Sequence, residues 1–157
     1  MRGMAMVPAL LAALAMAACG GSAAPAPAAA TGCAGTSHRA SLAVVHLGGA
    51  SRTACVGFRG DTIAGVELLK QSRVEYQTEN RSWGLAICQV DNEPAQFGDC
   101  IPRGAPYWSI WIAHRGQPWE AAQVGISKIE LHDGEALGLR YVSQAGAPSP
   151  PPIRPAS

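Results

Sequence analysis

Charged residues are scarce in this sequence, and neither sign is in excess. Twelve Lys and Arg residues stand against 11 Asp and Glu residues, which gives a net charge of +1, and charged residues make up 15% of the chain. Binding to the phosphates of nucleic acid depends on a basic patch or stripe. The composition therefore indicates that nucleic acid is not a partner.

The sequence also lacks the short motifs of common catalytic and metal sites. It contains no G-x-S-x-G elbow, no H-E-x-x-H pair, no P-loop and no G-x-G-x-x-G. Asp91, Glu93 and Asp99 share one loop, but their spacing does not follow an EF-hand, and a solvated acidic loop is the simpler interpretation. Residues 132–135 are typical of a turn between strands rather than of a catalytic pair. We predict a protein without enzymatic activity, catalytic residues or a bound metal.

The N-terminus has no apolar run long enough to span a membrane. Residues 3–18 are uncharged but shorter than the about 20 apolar residues that a spanning helix needs, and Pro8 interrupts them. Arg2 precedes the run and small residues end it, which is the pattern of a secretory signal peptide. We predict that residues 1–18 are a cleaved signal peptide.

The end of this run, Met16-Ala17-Ala18-Cys19, resembles the lipobox of bacterial lipoprotein precursors. Met16 stands where Leu is usual. The resemblance implies that Cys19 carries a lipid such as palmitate and anchors the protein to the cell membrane on its extracytoplasmic side. The alternative is ordinary cleavage near Ala17, which would leave Cys19 without this role.

Five cysteines occur in the chain. With Cys19 assigned to the lipid, the other four, Cys33, Cys55, Cys88 and Cys100, can pair completely in an oxidising compartment. Three connectivities are open, and we favour Cys33 with Cys55 and Cys88 with Cys100, because the second pair closes a short loop rich in turn-forming residues. A zinc site is the competing use of four cysteines, but no C-x-x-C spacing is present.

Composition divides the mature chain into three parts. Residues 19–32 alternate Ala, Pro, Gly, Ser and Thr without an apolar period, which predicts a flexible tether. Residues 33–144 form one folded domain. Residues 145–157 are rich in Pro, which predicts a disordered or polyproline-like tail. Recognition of this tail by a proline-binding module is the less favoured interpretation.

The periodicity of the central domain predicts an α+β fold. A hairpin is expected where two apolar segments, Ser41–Leu47 and Arg52–Phe58, flank a Gly-containing turn. A helix is expected next, capped by Asp61 or Thr62, with Ile63, Val66 and Leu69 on one face. Further strands are predicted at Val74–Gln77, Trp83–Val90, Tyr107–Ala113, Lys128–Leu131 and Leu137–Val142. A small mixed or antiparallel sheet packed on one helix and stabilised by disulfides follows from these elements.

Aromatic residues concentrate in the segment 107–112. Alternation places Trp108, Ile110 and Ile112 on one face of the strand and Tyr107, Ser109 and Trp111 on the other. One hypothesis is an aromatic pocket for a flat ligand, with the candidate residues Tyr107, Trp108, Trp111, Trp83 and Trp119. Packing within a small sheet domain is the alternative, and it is the more common role for any single Trp.

The order of these motifs resembles the transcobalamin-like C-terminal domain family over residues 41–142. The resemblance rests on the helix segment Thr62–Leu69, then Ala86-Ile87-Cys88, Tyr107–Trp111, Gly125-Ile126-Ser127 and Asp133–Tyr141. The chain departs from the family pattern at residues 89–93, where many relatives have an Ile-Asp-Gly turn, and at Leu139, where a Trp is common.

The resemblance implies a non-enzymatic binding domain of β-grasp-like architecture. It suggests cobalamin or another corrinoid as a ligand, captured for an uptake system such as a transporter, with His46 or His114 as conceivable cobalt ligands. Animal relatives hold the ligand against a helical partner domain, for which this chain has no room. The alternative function is a protein interaction module that displays its sheet to an envelope protein.

Overall fold

The structure is a computed structural model of the chain, and it describes residues 33, 36–144 and 147–153. The predicted signal peptide, the lipidation site Cys19 and the predicted tether of residues 19–32 lie outside the described residues. Residues 145–146 and 154–157 of the predicted tail do so as well.

The described residues form a mostly β domain with one α-helix and one 3-10 turn. The strands and helix are β1 (His38–Val45), β2 (Ser51–Phe58), β3 (Thr62–Ala64), α1 (Gly65–Gln71), β4 (Tyr76–Arg81), β5 (Gly84–Val90), β6 (Tyr107–Ala113), β7 (Trp119–Ala121), β8 (Glu130–His132) and β9 (Ala136–Val142), with the 3-10 turn at Ile126–Lys128. Within the described ranges, no helix has the length and apolar character needed to cross a membrane.

The main sheet has five strands in the order β2-β1-β9-β6-β7. β1 and β9 are parallel, and the other neighbours are antiparallel. Two smaller pairs, β3 with β8 and β4 with β5, are antiparallel. The predicted α+β class with a mixed sheet is confirmed, while the β-grasp-like architecture stays a prediction.

The first predicted hairpin is confirmed by the antiparallel pairing of β1 and β2, which runs from His38 opposite Phe58 to Val45 opposite Ser51. Gly49 has a φ of 85°, a left-handed conformation that glycine adopts without a steric penalty. The turn is closed by a 2.8 Å hydrogen bond from the His46 N–H to the Ala50 carbonyl.

The helix begins three residues later than the sequence predicts, and its predicted caps are wrong. Thr62 belongs to β3, where it pairs with His132, and α1 begins at Gly65 without a side-chain cap. Gly65 allows a close approach, because a Cβ at this position would lie 2.9 Å from the carbonyl oxygen of Ile126. The glycine that lowers helix propensity is therefore required by packing.

The remaining strand predictions differ mainly at their ends. β6 has the predicted bounds, and β5 and β9 differ from the predicted bounds by one residue at their first position. β4 is shifted towards the C-terminus, ending at Arg81. The predicted strand at Lys128–Leu131 is split between the 3-10 turn and β8, and β7 was not predicted.

The main core lies on the face of the sheet that we call the inner face. Leu68 and Leu69 of α1 pack into one cluster with side chains from the sheet and from β5. The sheet and β5 contribute Leu42, Val44, Ile87, Trp108, Leu137 and Leu139, all at most 3% exposed. Trp108 is therefore a core residue, as the packing interpretation requires.

The opposite, outer face of the sheet is also covered. Ala43 and Val45 of β1 alternate with the inner-face residues, yet they are 0% and 3% exposed. Part of the cover is the Pro-rich segment 147–153, in which Pro151 is buried. The interpretation of the tail as disordered or polyproline-like stays a prediction; within segment 147–153, Pro151 packs against β9, since a Cβ on Gly138 would lie 2.7 Å from its Cγ.

Two disulfides join the pairs favoured from the sequence, Cys33 with Cys55 and Cys88 with Cys100. The first connects the start of the domain to β2, and the second connects β5 to the loop that follows it. Such bonds persist in oxidising compartments, which supports an extracytoplasmic location.

Candidate functional site

A cavity of about 420 Å³ opens beside β6. Its lining includes four of the five aromatic residues predicted to bind a ligand, namely Trp83, Tyr107, Trp108 and Trp111. The other lining residues are Ile101, Ser109, Ile110, Ala121, Ala122, Gln123, Val124 and Pro148. Trp119, the fifth candidate, is absent from this lining and approaches Gly138 on the outer face of the sheet.

The cavity exists because β7 leaves the edge of β6 early. β7 pairs only with residues 111–113, and the last contact is the 2.9 Å hydrogen bond from the Ala122 N–H to the Ile110 carbonyl. The chain then turns towards β5, where the Gly125 N–H donates to the Trp83 carbonyl at 2.9 Å. Among the described residues, no strand pairs with residues 107–109 on this side of β6.

Glycine allows the far wall of the cavity to close against β5. A Cβ on Gly125 would lie 2.6 Å from the backbone nitrogen and oxygen of Leu85, which is closer than side chains are found. Ser127 adds a hydrogen bond to the same place, because its Oγ accepts from the Leu85 N–H at 3.0 Å. The segment from Ala121 to Gly125 is thereby held across the cavity from β6.

Trp108 forms a rigid wall and not a freely exposed contact surface. It is 3% exposed, and its Nε1 donates to the Glu93 carbonyl at 2.8 Å. Its ring lies 5.1 Å from the Tyr141 ring and meets the His46 ring edge-on at 5.5 Å. Burial raises the pKa of Tyr141, and the negative charge of Glu93 acts in the same direction.

Trp111 is fixed on the outer side of the same strand. It is 6% exposed, and its Nε1 donates to the Ser109 Oγ at 2.9 Å, which in turn donates to the Arg140 carbonyl at 2.9 Å. Trp83 is different, because 38% of its surface is exposed. Trp83 and the half-buried Tyr107 are therefore the two aromatic residues able to offer surface to a ligand.

The cavity is uncharged. None of the described residues that line it is Asp, Glu, Lys, Arg or His. Ile101 and Val124, each 39% exposed, extend the apolar surface at its mouth. Such a site suits a neutral apolar or aromatic group, since a charged group would lose hydration there without an opposite charge.

His46, weighed from the sequence as a cobalt ligand, belongs to an ionic cluster. Its Nδ1 lies 2.6 Å from the Glu93 carboxylate, and its Nε2 lies 3.8 Å from Asp91. Arg52 also pairs with Asp91 at 3.1 Å. Both ring nitrogens of His46 face carboxylates, so the ion pairs explain its position without a metal.

The third carboxylate of the predicted acidic loop points to another cation. Asp99 pairs with Arg81 at 2.6 Å. The N–H of Ile101 donates to Asp99 and, together with Arg81, holds the pKa of this carboxyl below its usual value. Because Asp91 and Glu93 both face His46 while Asp99 pairs with Arg81, the structure does not bring the three carboxylates together as one cation site.

His114, the other conceivable cobalt ligand, lies at the end of β6 beside Glu135. Its Nδ1 is 2.6 Å from Glu135, and the N–H of His132 donates to the same carboxylate at 2.8 Å. Burial by itself raises the pKa of Glu135, but these two partners outweigh it and hold the pKa below the usual value. The predicted turn at residues 132–135 is confirmed, with Gly134 at a φ of 79°.

One set of metal-type donors comes together among the described residues, at Glu79, Cys88 and Cys100. The two sulfurs form a disulfide, and Glu79 already pairs with Arg81 at 2.8 Å. A cysteine binds a metal as its thiolate, which a disulfide sulfur is not. The oxidised protein therefore does not offer this set to a metal.

No protein family model matches the chain, and no curated protein matches it. Among solved structures, the chain is similar to that of a putative metal binding protein from Ruminococcus gnavus ATCC 29149. The sequence identity is 19%, the match covers 68% of this chain and 97% of that one, and the TM-score is 0.50. At this identity the likeness shows a similar fold.

Proposed function

We propose that this chain is a non-enzymatic binding domain that captures a small, flat, uncharged ligand in the cavity beside β6. The observation that carries the proposal is the convergence of Trp83, Tyr107, Trp108 and Trp111 on one uncharged cavity. Its volume of about 420 Å³ falls in the range of about 300 to 1,000 Å³ that is typical of small-molecule sites.

The two buried tryptophans make the site pre-formed. Each indole N–H has a hydrogen-bond partner, so neither ring has to reorient when a ligand enters. The exposed ring of Trp83 supplies the adjustable contact. A stacked or edge-to-face aromatic contact contributes about 0.5 to 1.5 kcal/mol beyond the burial of its area.

A corrinoid is the ligand class suggested by the transcobalamin-like resemblance. A cavity of about 420 Å³ would accept only part of so large a molecule, so the rest would need a second protein to cover it. The cavity lining offers no imidazole within the described part of the chain, so the corrinoid would be held by its apolar periphery and not through its cobalt.

An organic ligand fits these residues better than a metal ion. The Ruminococcus protein is named for metal binding, yet the donor set of Glu79, Cys88 and Cys100 in this chain contains a disulfide. The aromatic cavity is lined by carbon, amide and hydroxyl groups, which are poor ligands for transition metals.

Capture would take place outside the cytoplasm. The signal peptide pattern and Cys19 support a lipid anchor in the cell membrane, and the two disulfides agree with an oxidising compartment. From there, the domain would deliver its ligand to an uptake system such as a neighbouring transporter.

The test is a titration of the oxidised full chain with a corrinoid series and with phenazine, a planar uncharged aromatic. Visible absorption and Trp fluorescence are followed together. Trp83→Ala is the sharper variant, because Trp83 is exposed whereas truncation of Trp108 would damage the core. Phe97→Ala is the matched control, since Phe97 is also 38% exposed but does not line this cavity.

We expect saturable binding that Trp83→Ala weakens about tenfold or more, equivalent to about 1.4 kcal/mol, while Phe97→Ala binds like the unmodified chain. No saturation by any of these compounds up to about 1 mM would overturn the proposal. Equal losses of affinity in Trp83→Ala and Phe97→Ala would show that the ligand does not bind in this cavity.

A protein interaction module at the cell envelope is the second candidate function. The observation that favours it is the edge of β6 at residues 107–109, which has no strand partner among the described residues. An extended peptide can add to such an edge through backbone hydrogen bonds. A proline substituted at the partner's pairing position would then abolish binding, whereas small-molecule capture would be unaffected.

A further inference from the structure

The Pro-rich segment 149–152 packs against the outer face of the sheet. Pro151 is buried over Gly138 of β9, where the Trp119 ring of β7 and the Cβ of Trp111 of β6 also approach. This surface adjoins the cavity proposed for a ligand and shares Trp111 with it, whereas Trp119, Gly138 and Arg140 do not line that cavity. We refer to Trp111, Trp119, Gly138 and Arg140 as the outer groove.

Gly138 makes room for the proline ring. A Cβ at this position would lie 2.7 Å from Pro151 Cγ, 3.0 Å from Trp119 Cζ3 and 3.2 Å from Trp111 Cβ. Its φ is outside the left-handed region, so the backbone does not require glycine here. Glycine is required instead by the space that Pro151, the Trp119 ring and the Trp111 Cβ occupy above this position.

Arg140 recognises the backbone of the seated segment. Its Nη1 donates to the carbonyl oxygens of both Ser149 and Pro150. Three successive prolines at residues 150–152 restrict the chain to an extended, polyproline-type conformation, in which carbonyls have no internal hydrogen-bond partners. A single guanidinium nitrogen that donates to two consecutive carbonyls therefore matches this conformation.

Aromatic walls, a deep floor and a side chain that donates to main-chain carbonyls are the features by which proteins recognise Pro-rich peptides. We propose that the outer groove is a binding site for a Pro-rich extended peptide of a partner protein, and that Ser149–Pro152 is its resident ligand in the free chain.

The resident segment competes with any partner. Only residues 143–148 connect β9 to the seated segment, and a short connection of this kind gives an effective concentration in the millimolar range. A partner peptide can bind only those molecules whose tail has dissociated from the outer groove, so its apparent affinity is reduced by that fraction. The groove therefore responds to partners that bind tightly or are present at high local concentration.

The proposal is tested on the oxidised full chain carrying Pro150→Ser, Pro151→Ser and Pro152→Ser together, which releases the resident segment. The probe is a fluorescein-labelled peptide of residues 147–153, followed by anisotropy. We expect saturable binding to this released variant and at least about tenfold weaker apparent binding to the unmodified chain, because its groove is occupied. The same peptide with Ser at its prolines is not expected to bind.

Two further variants locate the binding. Gly138→Ala in the released background is expected to weaken binding about tenfold or more, because its methyl group fills the floor. Gly48→Ala is the matched control, since a Cβ on Gly48 meets nothing within 4 Å. Arg140→Gln, which leaves the floor unchanged, should also weaken binding and keeps the test valid if Gly138→Ala perturbs the sheet.

Circular dichroism of each variant establishes that the domain is folded. Absence of saturable binding to the folded released variant would overturn the proposal, as would binding that Gly138→Ala and Arg140→Gln leave unchanged. Concentration-dependent dimers of the unmodified chain that Arg140→Gln dissociates would support the groove and identify a second copy's tail as a partner peptide.

Discussion

The indole Nε1 of Trp108 donates a hydrogen bond to the backbone carbonyl of Glu93 at 2.8 Å. The same carbonyl accepts a 3.0 Å hydrogen bond from the N–H of Val90. β6 is thereby joined to the loop that leaves β5, and the loop carries Glu93 to His46. The Trp108 side chain therefore lines the cavity and also contacts two members of the ionic cluster, the His46 ring and the Glu93 backbone.

Replacing this side chain tests how much the cavity wall contributes to the fold. Trp108→Phe removes one hydrogen bond and part of the buried volume, but the Glu93 carbonyl keeps its bond from Val90. We expect a loss of about 1 to 2 kcal/mol in the free energy of unfolding, measured by urea denaturation. Trp83→Phe is the exposed control and should change stability by no more than about 0.5 kcal/mol. Similar losses in both variants would show that Trp108 is not a structural wall.

Glu135 should make the domain sensitive to acid. Its pKa is held below the usual value of 4.5, so its ionised form is stabilised by folding. This contribution is present above pH 4.5 and is lost as the pH falls through the lowered pKa of the folded state. Unfolding free energies measured from pH 7 down to about pH 3 should therefore fall more steeply for the unmodified chain than for Glu135→Gln.

The comparison between these two proteins isolates Glu135 from other carboxyls. Asp99 and Asp133 also have lowered pKa values and add acid sensitivity of the same sign, but both remain in Glu135→Gln. Parallel pH curves for the two proteins would mean that the hydrogen bonds from His114 and the His132 N–H do not favour the ionised form.

The two disulfides should differ modestly in their contributions to stability. The Cys33–Cys55 bond spans 22 residues and the Cys88–Cys100 bond spans 12. In the chain-entropy model, removing the shorter bond costs about 3 kcal/mol and removing the longer one about 0.5 kcal/mol more. Urea denaturation of Cys88→Ala/Cys100→Ala and Cys33→Ala/Cys55→Ala gives the order. A clearly larger loss for the 12-residue bond would indicate that packing of the buried cysteines outweighs chain entropy.

Local sequence patterns predicted the parts of the fold that depend on local chemistry. Tyr107–Ala113 alternates over a full strand, and Gly49 marks the first turn, so β6 and the hairpin were recognisable. The sequence named Trp83 and Tyr107 as candidates for one pocket, but the position and shape of the cavity were not predictable, because they depend on where β7 leaves the sheet. β7 has only three residues, too few to show a period.

Long-range packing decided the remaining differences. Thr62 has a side chain suited to a helix cap, but pairing with His132 draws it into a strand. The tail has a composition typical of disorder, yet Pro151 packs over Gly138 near the Trp119 ring, and both residues are distant from it in sequence. A single sequence records the proline and the glycine but not their proximity.

Gly125→Ala tests whether the cavity depends on the close contact between the segment 121–125 and β5. The new Cβ would lie 2.6 Å from the backbone of Leu85, which cannot swing aside as a side chain can. We expect a loss of about 1 to 3 kcal/mol in unfolding free energy and a change in Trp83 fluorescence, because the Trp83 carbonyl accepts the Gly125 N–H. Gly98→Ala meets nothing within 4 Å and should leave both quantities unchanged. If Gly125→Ala matched Gly98→Ala in stability and fluorescence, the far wall would be free to move, and a ligand site of fixed shape would have to be abandoned.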